Sequence, residues 1–120
     1  MTGYLKREVA RVMTRCVNTL EGLRFAWREE ASFPQWVVAN IVSASLACLI
    51  EMSTAERALI IGFGLMVLVA ELLNTGIEAA IDRISEEHHP MSKKAKDTAC
   101  AAVALTALAT GFVWLIVLTG

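Results

Sequence analysis

The stretch from Leu59 to Ile81 is apolar and long enough to cross a hydrocarbon core, yet it carries Glu71 and Glu78 with Asn74 between them. A carboxylate at the centre of a bilayer costs roughly 2.5–3.5 kcal/mol on insertion scales, so such side chains mark functional sites or paired structural contacts. Counted from Glu71, offsets of three, seven and eleven residues reach Asn74, Glu78 and Asp82. At 100° per residue these four share an arc of about 80° on one helix face. The polar stripe can therefore turn inward while Leu65, Leu68, Leu72 and Leu73 meet other surroundings.

With 120 residues the chain is one domain by length, and 56% hydrophobic composition exceeds the apolar share of an ordinary soluble domain. It reads as an integral membrane protein. A net charge of −1 gives no sign of nucleic-acid binding, but the eleven Lys and Arg are unevenly placed. Six precede Phe33 (Lys6, Arg7, Arg11, Arg15, Arg24, Arg28), four lie between Asp82 and Asp97 (Arg83, Lys93, Lys94, Lys96), and Arg57 stands alone in the remaining connection. Trp36 to Ile50 and Thr98 to Leu118 supply two further candidate spans, the first short and interrupted by Asn40, Ser43 and Ser45. Three spans place the N-terminus and the 82–97 loop on one side, which the positive-inside rule makes cytoplasmic, with the C-terminus outside.

Before the spans, Leu5, Val9, Val12, Met13, Cys16, Leu20, Leu23 and Trp27 recur at helical spacing opposite Arg7, Arg11, Thr14, Asn18 and Glu21. This pattern predicts an amphipathic helix suited to an anionic membrane surface or to the protein's own bundle. Phe25 falls on the polar side and marks that face for a partner as well. Pro34 fits only an early helical position, so the surface helix should break near Ser32 to Pro34. The expected architecture is all-α: a surface helix at 4–32 and spans at 34–52, 57–84 and 94–118, in one domain covering 1–120. Glu51 to Arg57 is then an outer turn, and the last helix starts near Ser92 after a polar loop broken by Pro90. Gly62-Phe63-Gly64 lies mid-span with no preceding strand and reads as close helix packing. Cys16, Cys48 and Cys100 have no metal-ligand spacing and read as small buried hydrophobes. The basic start leads into a helical pattern and not into a secretory leader.

The cytoplasmic polar inventory comprises Glu29 and Glu30, the stripe Glu71, Asn74, Glu78 and Asp82, then Glu86, Glu87, His88, His89, Lys96 and Asp97. Carboxylates with open oxygen coordination suit Mg²⁺, which keeps substrate phosphates in its shell. A lysine neutralises phosphate, and a carboxyl held in an apolar setting becomes an effective proton acceptor. Base, metal ligands and phosphate-binding cation are the parts that phosphoryl transfer requires. The bland counterparts are an interhelical amide for Asn74, a solvated loop for Glu86 to His89, and positive-inside anchors for Lys93, Lys94 and Lys96. No GxxxxGK[ST] loop is present, so a phosphotransferase here is not built on a soluble nucleotide fold.

The string Glu71-Leu72-Leu73-Asn74-Thr75-Gly76-Ile77-Glu78, then Asp82-Arg83, then Lys96-Asp97 fourteen residues after Asp82, resembles the small bacterial diacylglycerol kinase and undecaprenol kinase family. Gly22-Leu23-Arg24, Ala26-Trp27, Glu30-Ala31 and Phe33 extend the similarity upstream, so that it covers nearly the whole chain. The resemblance implies a homotrimeric inner-membrane kinase, with a surface helix and three spans per chain, that moves the γ-phosphate of Mg-ATP to a lipid hydroxyl. By matching position it implies Glu71 as the base and Glu30 and Glu78 as ligands of the nucleotide-bound Mg²⁺. It likewise implies that Asn74, Lys96 and Asp97 fix the phosphates and the site geometry. Glu87 and His89, with His88 beside them, and Arg11 on the surface helix match positions near the nucleotide. Arg11, Arg24 and Trp27, together with Glu71, are the residues expected on the lipid side.

Three departures stand out: Gly76 where the family usually has Ala or Ser, Pro34 and Trp36 in place of polar and acidic residues, and Pro90 in place of a loop acid. Diacylglycerol is the expected lipid, from the Gram-negative likeness around Ala26-Trp27 and Lys96-Asp97, and undecaprenol is the alternative. From other classes, a small proton-coupled transporter would also keep an embedded Glu, and an assembly subunit would turn over no ATP. Because three spans cannot fully enclose a polar stripe, Glu71 and Glu78 are expected to face a neighbouring subunit whose surface helix contributes Glu30, giving composite sites.

Overall fold

The computed structural model describes all 120 residues and consists of four helices with no strand: α1 (Thr2–Glu29), α2 (Ser32–Leu49), α3 (Thr54–Ile84) and α4 (Pro90–Thr119). The last three are long and apolar enough to cross a membrane. α3 is central, packed along α4 on one side and α2 on the other, while α1 touches the bundle lightly and buries only Ala26. At 1.5 Å per residue α1 is a rod of about 42 Å. It projects away from the bundle and leaves the molecule as broad as it is tall, 51 × 50 × 23 Å.

The helix ends follow local chemistry. Glu30 takes an extended conformation that stops α1, and α2 restarts at Ser32 with Pro34 in its first turn, where no backbone donor is needed. Arg57 donates its Nε to the Ala47 carbonyl at 2.8 Å, satisfying an end of α2 across the outer turn. Ser53 and Glu56 form a reciprocal capping box that starts α3. α4 starts at Pro90, two residues before Ser92, because His89 Nδ1 accepts from the Met91 N–H at 3.1 Å and proline suits the first helical position.

Ile60, Gly64, Val67, Glu71 and Asn74 are the buried residues of α3. Their spacing of four, three, four and three residues is one continuous seam, apolar toward the outer end and polar toward the inner end. At Gly64 an added methyl would run into the Asn40 Oδ1 of α2, so this glycine is a packing residue; Gly62 has open space around it and is not. Trp114 Nε1 donates to Ser43 Oγ at 2.8 Å, tying α4 to α2.

Only 10 of 120 residues are buried, so most of the large apolar side chains of the spans face outward. Leu105, Leu108, Phe112, Leu115 and Ile116 of α4 are examples, and such a surface suits hydrocarbon and not water. The cysteines differ from expectation: all three are exposed on the chain. The close helix contacts are made by smaller residues, Ala26, Ala47, Gly64 and Ala99, which leave the thiols on outward faces.

Candidate active site

Glu71 is only 4% exposed, although it is an acid within a span. Its side chain has one protein donor, the hydroxyl of Ser32 at the start of α2. One turn further along the seam, Asn74 Nδ2 donates to Glu78 Oε1 at 3.3 Å, while the Asn74 Oδ1 is buried with no partner. A buried acceptor left unpaired costs about 1–3 kcal/mol, so this oxygen is positioned for a donor that the chain itself does not supply. Glu78 is half-buried and Asp82 exposed, so the stripe climbs from the bundle interior to the interface.

Glu30, at the junction of α1 and α2, completes the acidic group. Burial, then the charge of Glu78, then those of Glu71 and Glu29, hold its carboxyl above the usual range of 4.5. Glu78 and Glu71 thus lie near enough to act on the Glu30 carboxyl, and a divalent cation at Glu30 and Glu78 would relieve that repulsion. No group of three or more His, Cys, Asp or Glu side chains is arranged to hold a metal by protein alone. Within one chain, Ser32, two residues after Glu30, donates to Glu71. The chain reverses at its extended Glu30, and α2 then runs along α3, which brings the turn carrying Glu30 to the Glu71 end of that helix. Equally, a single chain does bury Glu71 and Asn74.

Above the stripe, a cavity of about 240 Å³ at the α3–α4 turn gathers Glu87, His88, His89, Lys96 and Asp97, all expected at the nucleotide. Lys96 Nζ pairs with Asp82 Oδ1 at 2.6 Å, and Lys93 pairs with Asp97. Arg11 is not brought to this cluster; it lies exposed on α1, paired with Glu8 at 2.7 Å. Arg24 and Trp27 are also exposed on α1, with the Trp27 ring edge-on to Phe33 at 6.5 Å and 84°. Between α1 and α3 runs an open, mainly apolar groove of about 580 Å³, walled by Gly22, Leu23, Ala26, Leu72, Thr75 and Gly76 among others. Neither Arg24 nor Trp27 lines it. Sequence reasoning assigned no role to Ser32 or to the Asp82–Lys96 pair. A hydroxyl two residues after Glu30, ahead of Pro34, was the available signal for the first.

Residues 17–118 match the prokaryotic diacylglycerol kinase family. The diacylglycerol kinase of Pseudomonas aeruginosa is 44% identical over 112 residues, covering 92% of this chain and 89% of that protein. That of Escherichia coli K12 is 36% identical over 108 residues, covering 90% and 88%. That of Helicobacter pylori J99 is 36% identical over 94 residues, covering 78% and 73%. By these matches over most of its length, the chain belongs to the prokaryotic diacylglycerol kinase family.

Proposed function

We infer that this chain transfers the γ-phosphate of ATP to the free hydroxyl of diacylglycerol at the cytoplasmic face of the bacterial inner membrane, giving phosphatidic acid. The observation that carries the reading is the convergence of buried Glu71 with Glu30 and Glu78 at the inner end of α3, in a chain of this family. A lipid lying along the bundle brings its hydroxyl to the depth of Glu71, while a water-soluble nucleotide reaches only the interfacial cavity. The site spans both depths.

Glu71 takes the proton from the lipid hydroxyl as the oxygen attacks the γ-phosphorus, and the bond from that phosphorus to the β,γ-bridging oxygen breaks to release ADP. Asn74 orients Glu78 through its amide and offers its free Oδ1 to a donor in the assembled complex. Glu30 and Glu78 would hold Mg²⁺, which when bound neutralises charge on the transferring phosphates. Lys96 exchanges Asp82 for phosphate oxygens, and Asp97 with Lys93 holds the opposite wall. The His89 Nδ1 is used as an acceptor, so its Nε2 carries the proton and donates toward the nucleotide, beside His88 and Glu87. Arg11, Arg24 and Trp27, on the exposed length of α1, belong to the lipid side.

The distribution of Lys and Arg supports a cytoplasmic N-terminus and α3–α4 turn, with the C-terminus outside. The open side of the α1–α3 groove leaves room for a neighbouring chain, in keeping with the homotrimer that the family resemblance implies. In it each chain supplies its own carboxylates and a neighbour closes the groove. The test is ATP consumption and lipid phosphate formation in mixed micelles with a panel of lipid alcohols. Preferential phosphorylation of diacylglycerol is expected; preference for undecaprenol would overturn the substrate, and ATP-independent proton flux in vesicles would favour a transporter.

A further inference from the structure

Ser32 takes no part in the reaction as described, yet its hydroxyl is the one side-chain donor to Glu71. The two residues are 39 positions apart, on α2 and α3. A glutamate has three rotatable side-chain bonds, and this one lies near the Glu30 carboxylate. Without an anchor, repulsion and torsional freedom would let its carboxylate swing away from the acidic group. The Ser32 bond fixes Oε1 and leaves Oε2 open to a lipid hydroxyl. Ser32 is also two residues from Glu30, in the first turn that follows the chain reversal. One bond thus ties the base on α3 to the turn that carries Glu30 at the α1–α2 junction.

We propose that Ser32 is a positioning residue for the reaction, its hydroxyl orienting Glu71 as the third group orients the base in a nucleophile–base–orienter chain. The assignment rests on Glu71 being the base. A misplacement of about 1 Å can lower a rate by up to 10²-fold, so loss of the anchor should slow the phosphoryl transfer without weakening the binding of either substrate.

The experiment compares Ser32→Ala, Ser32→Thr, Ser32→Cys and Glu71→Gln in diacylglycerol mixed micelles with Mg-ATP. kcat and both KM values are measured. Ser32→Ala should lower kcat about tenfold or more with KM for ATP and lipid unchanged, and Ser32→Thr, which keeps the hydroxyl, should restore most of the rate. Ser32→Ala at the parent kcat, or Ser32→Thr as slow as Ser32→Ala, overturns the proposal. If Ser32→Ala does not fold, Ser32→Cys decides: it keeps the size and loses the strong donor, so a parent kcat overturns the proposal and a reduced one supports it. An active Glu71→Gln would remove the base itself. An inactive Glu71→Gln beside an unaffected Ser32→Ala would remove Ser32 alone.

Discussion

Asn74 gives its amide to Glu78 at 3.3 Å and keeps a buried carbonyl oxygen with no partner of its own. The same side chain therefore orients the carboxylate proposed to hold Mg²⁺ and has an acceptor free for a donor. Groups that orient metal ligands are worth roughly 10–100-fold in metal affinity. Asn74→Ala should raise the Mg²⁺ concentration for half-maximal activity by about that factor. An Mg²⁺ titration at saturating ATP checks it; an unchanged midpoint would reduce Asn74 to interhelical packing.

Glu30→Gln separates stability from activity. The Glu30 carboxyl is held above its ordinary value of 4.5 by burial and by Glu78, Glu71 and Glu29. The folded chain thus binds that proton more tightly than the unfolded one. The resulting stabilisation is fully present below pH 4.5 and is lost as pH rises through the raised folded value. Metal-free protein should therefore lose stability across that window, and Glu30→Gln should flatten this part of the profile while abolishing turnover or raising the Mg²⁺ requirement. Thermal unfolding in chelator across the acid range measures the first, and phosphoryl transfer the second.

Gly64 and Gly62 should respond oppositely to alanine. At Gly64 the new methyl meets Asn40 Oδ1, and Asn40 is held by its bond to the Trp36 carbonyl at 3.0 Å. Gly64→Ala should cost about 1–3 kcal/mol, as overpacking does. Adding Asn40→Ala should return part of it. Gly62→Ala meets open space and should be neutral or stabilising by up to about 1 kcal/mol, from helix propensity. Denaturation in detergent distinguishes the two.

Mixed assemblies test which chain supplies which carboxylate. With Glu30, Glu71 and Glu78 contributed by one chain, Glu71→Gln and Glu30→Gln chains combined in one oligomer leave every site lacking a residue. Such mixtures should stay as inactive as either variant alone. Recovery of activity in oligomers shown to be mixed would place Glu30 in a neighbour's site.

The four helices and the acid stripe were legible in the sequence because membrane spans announce themselves by length and apolarity, and because Glu71 and Glu78 violate that pattern. The break before α2 was signalled by Pro34. The start of α4 was displaced because a histidine cap and a proline at the first helical position form a local signal that the polar loop around them obscures. The extended Glu30 reverses the chain and lets Ser32 of α2 reach Glu71, which no periodicity within α3 reveals. The Ser32–Glu71 bond joins two elements across 39 positions, and pairings of that kind depend on helix packing. The cysteines were misplaced for a related reason, since burial in a lone membrane chain is confined to narrow seams.

The most direct measurement is the rate of phosphatidic acid formation by the parent and by Glu71→Gln, with Mg-ATP and diacylglycerol in mixed micelles. General-base catalysis contributes about 10²–10⁴-fold, and the amide keeps the size of the side chain while losing the ability to take the proton. The parent should phosphorylate diacylglycerol, and a folded Glu71→Gln should be slower by at least about 10²-fold. A parent that transfers no phosphate to diacylglycerol, or a Glu71→Gln variant as fast as the parent, would contradict the account.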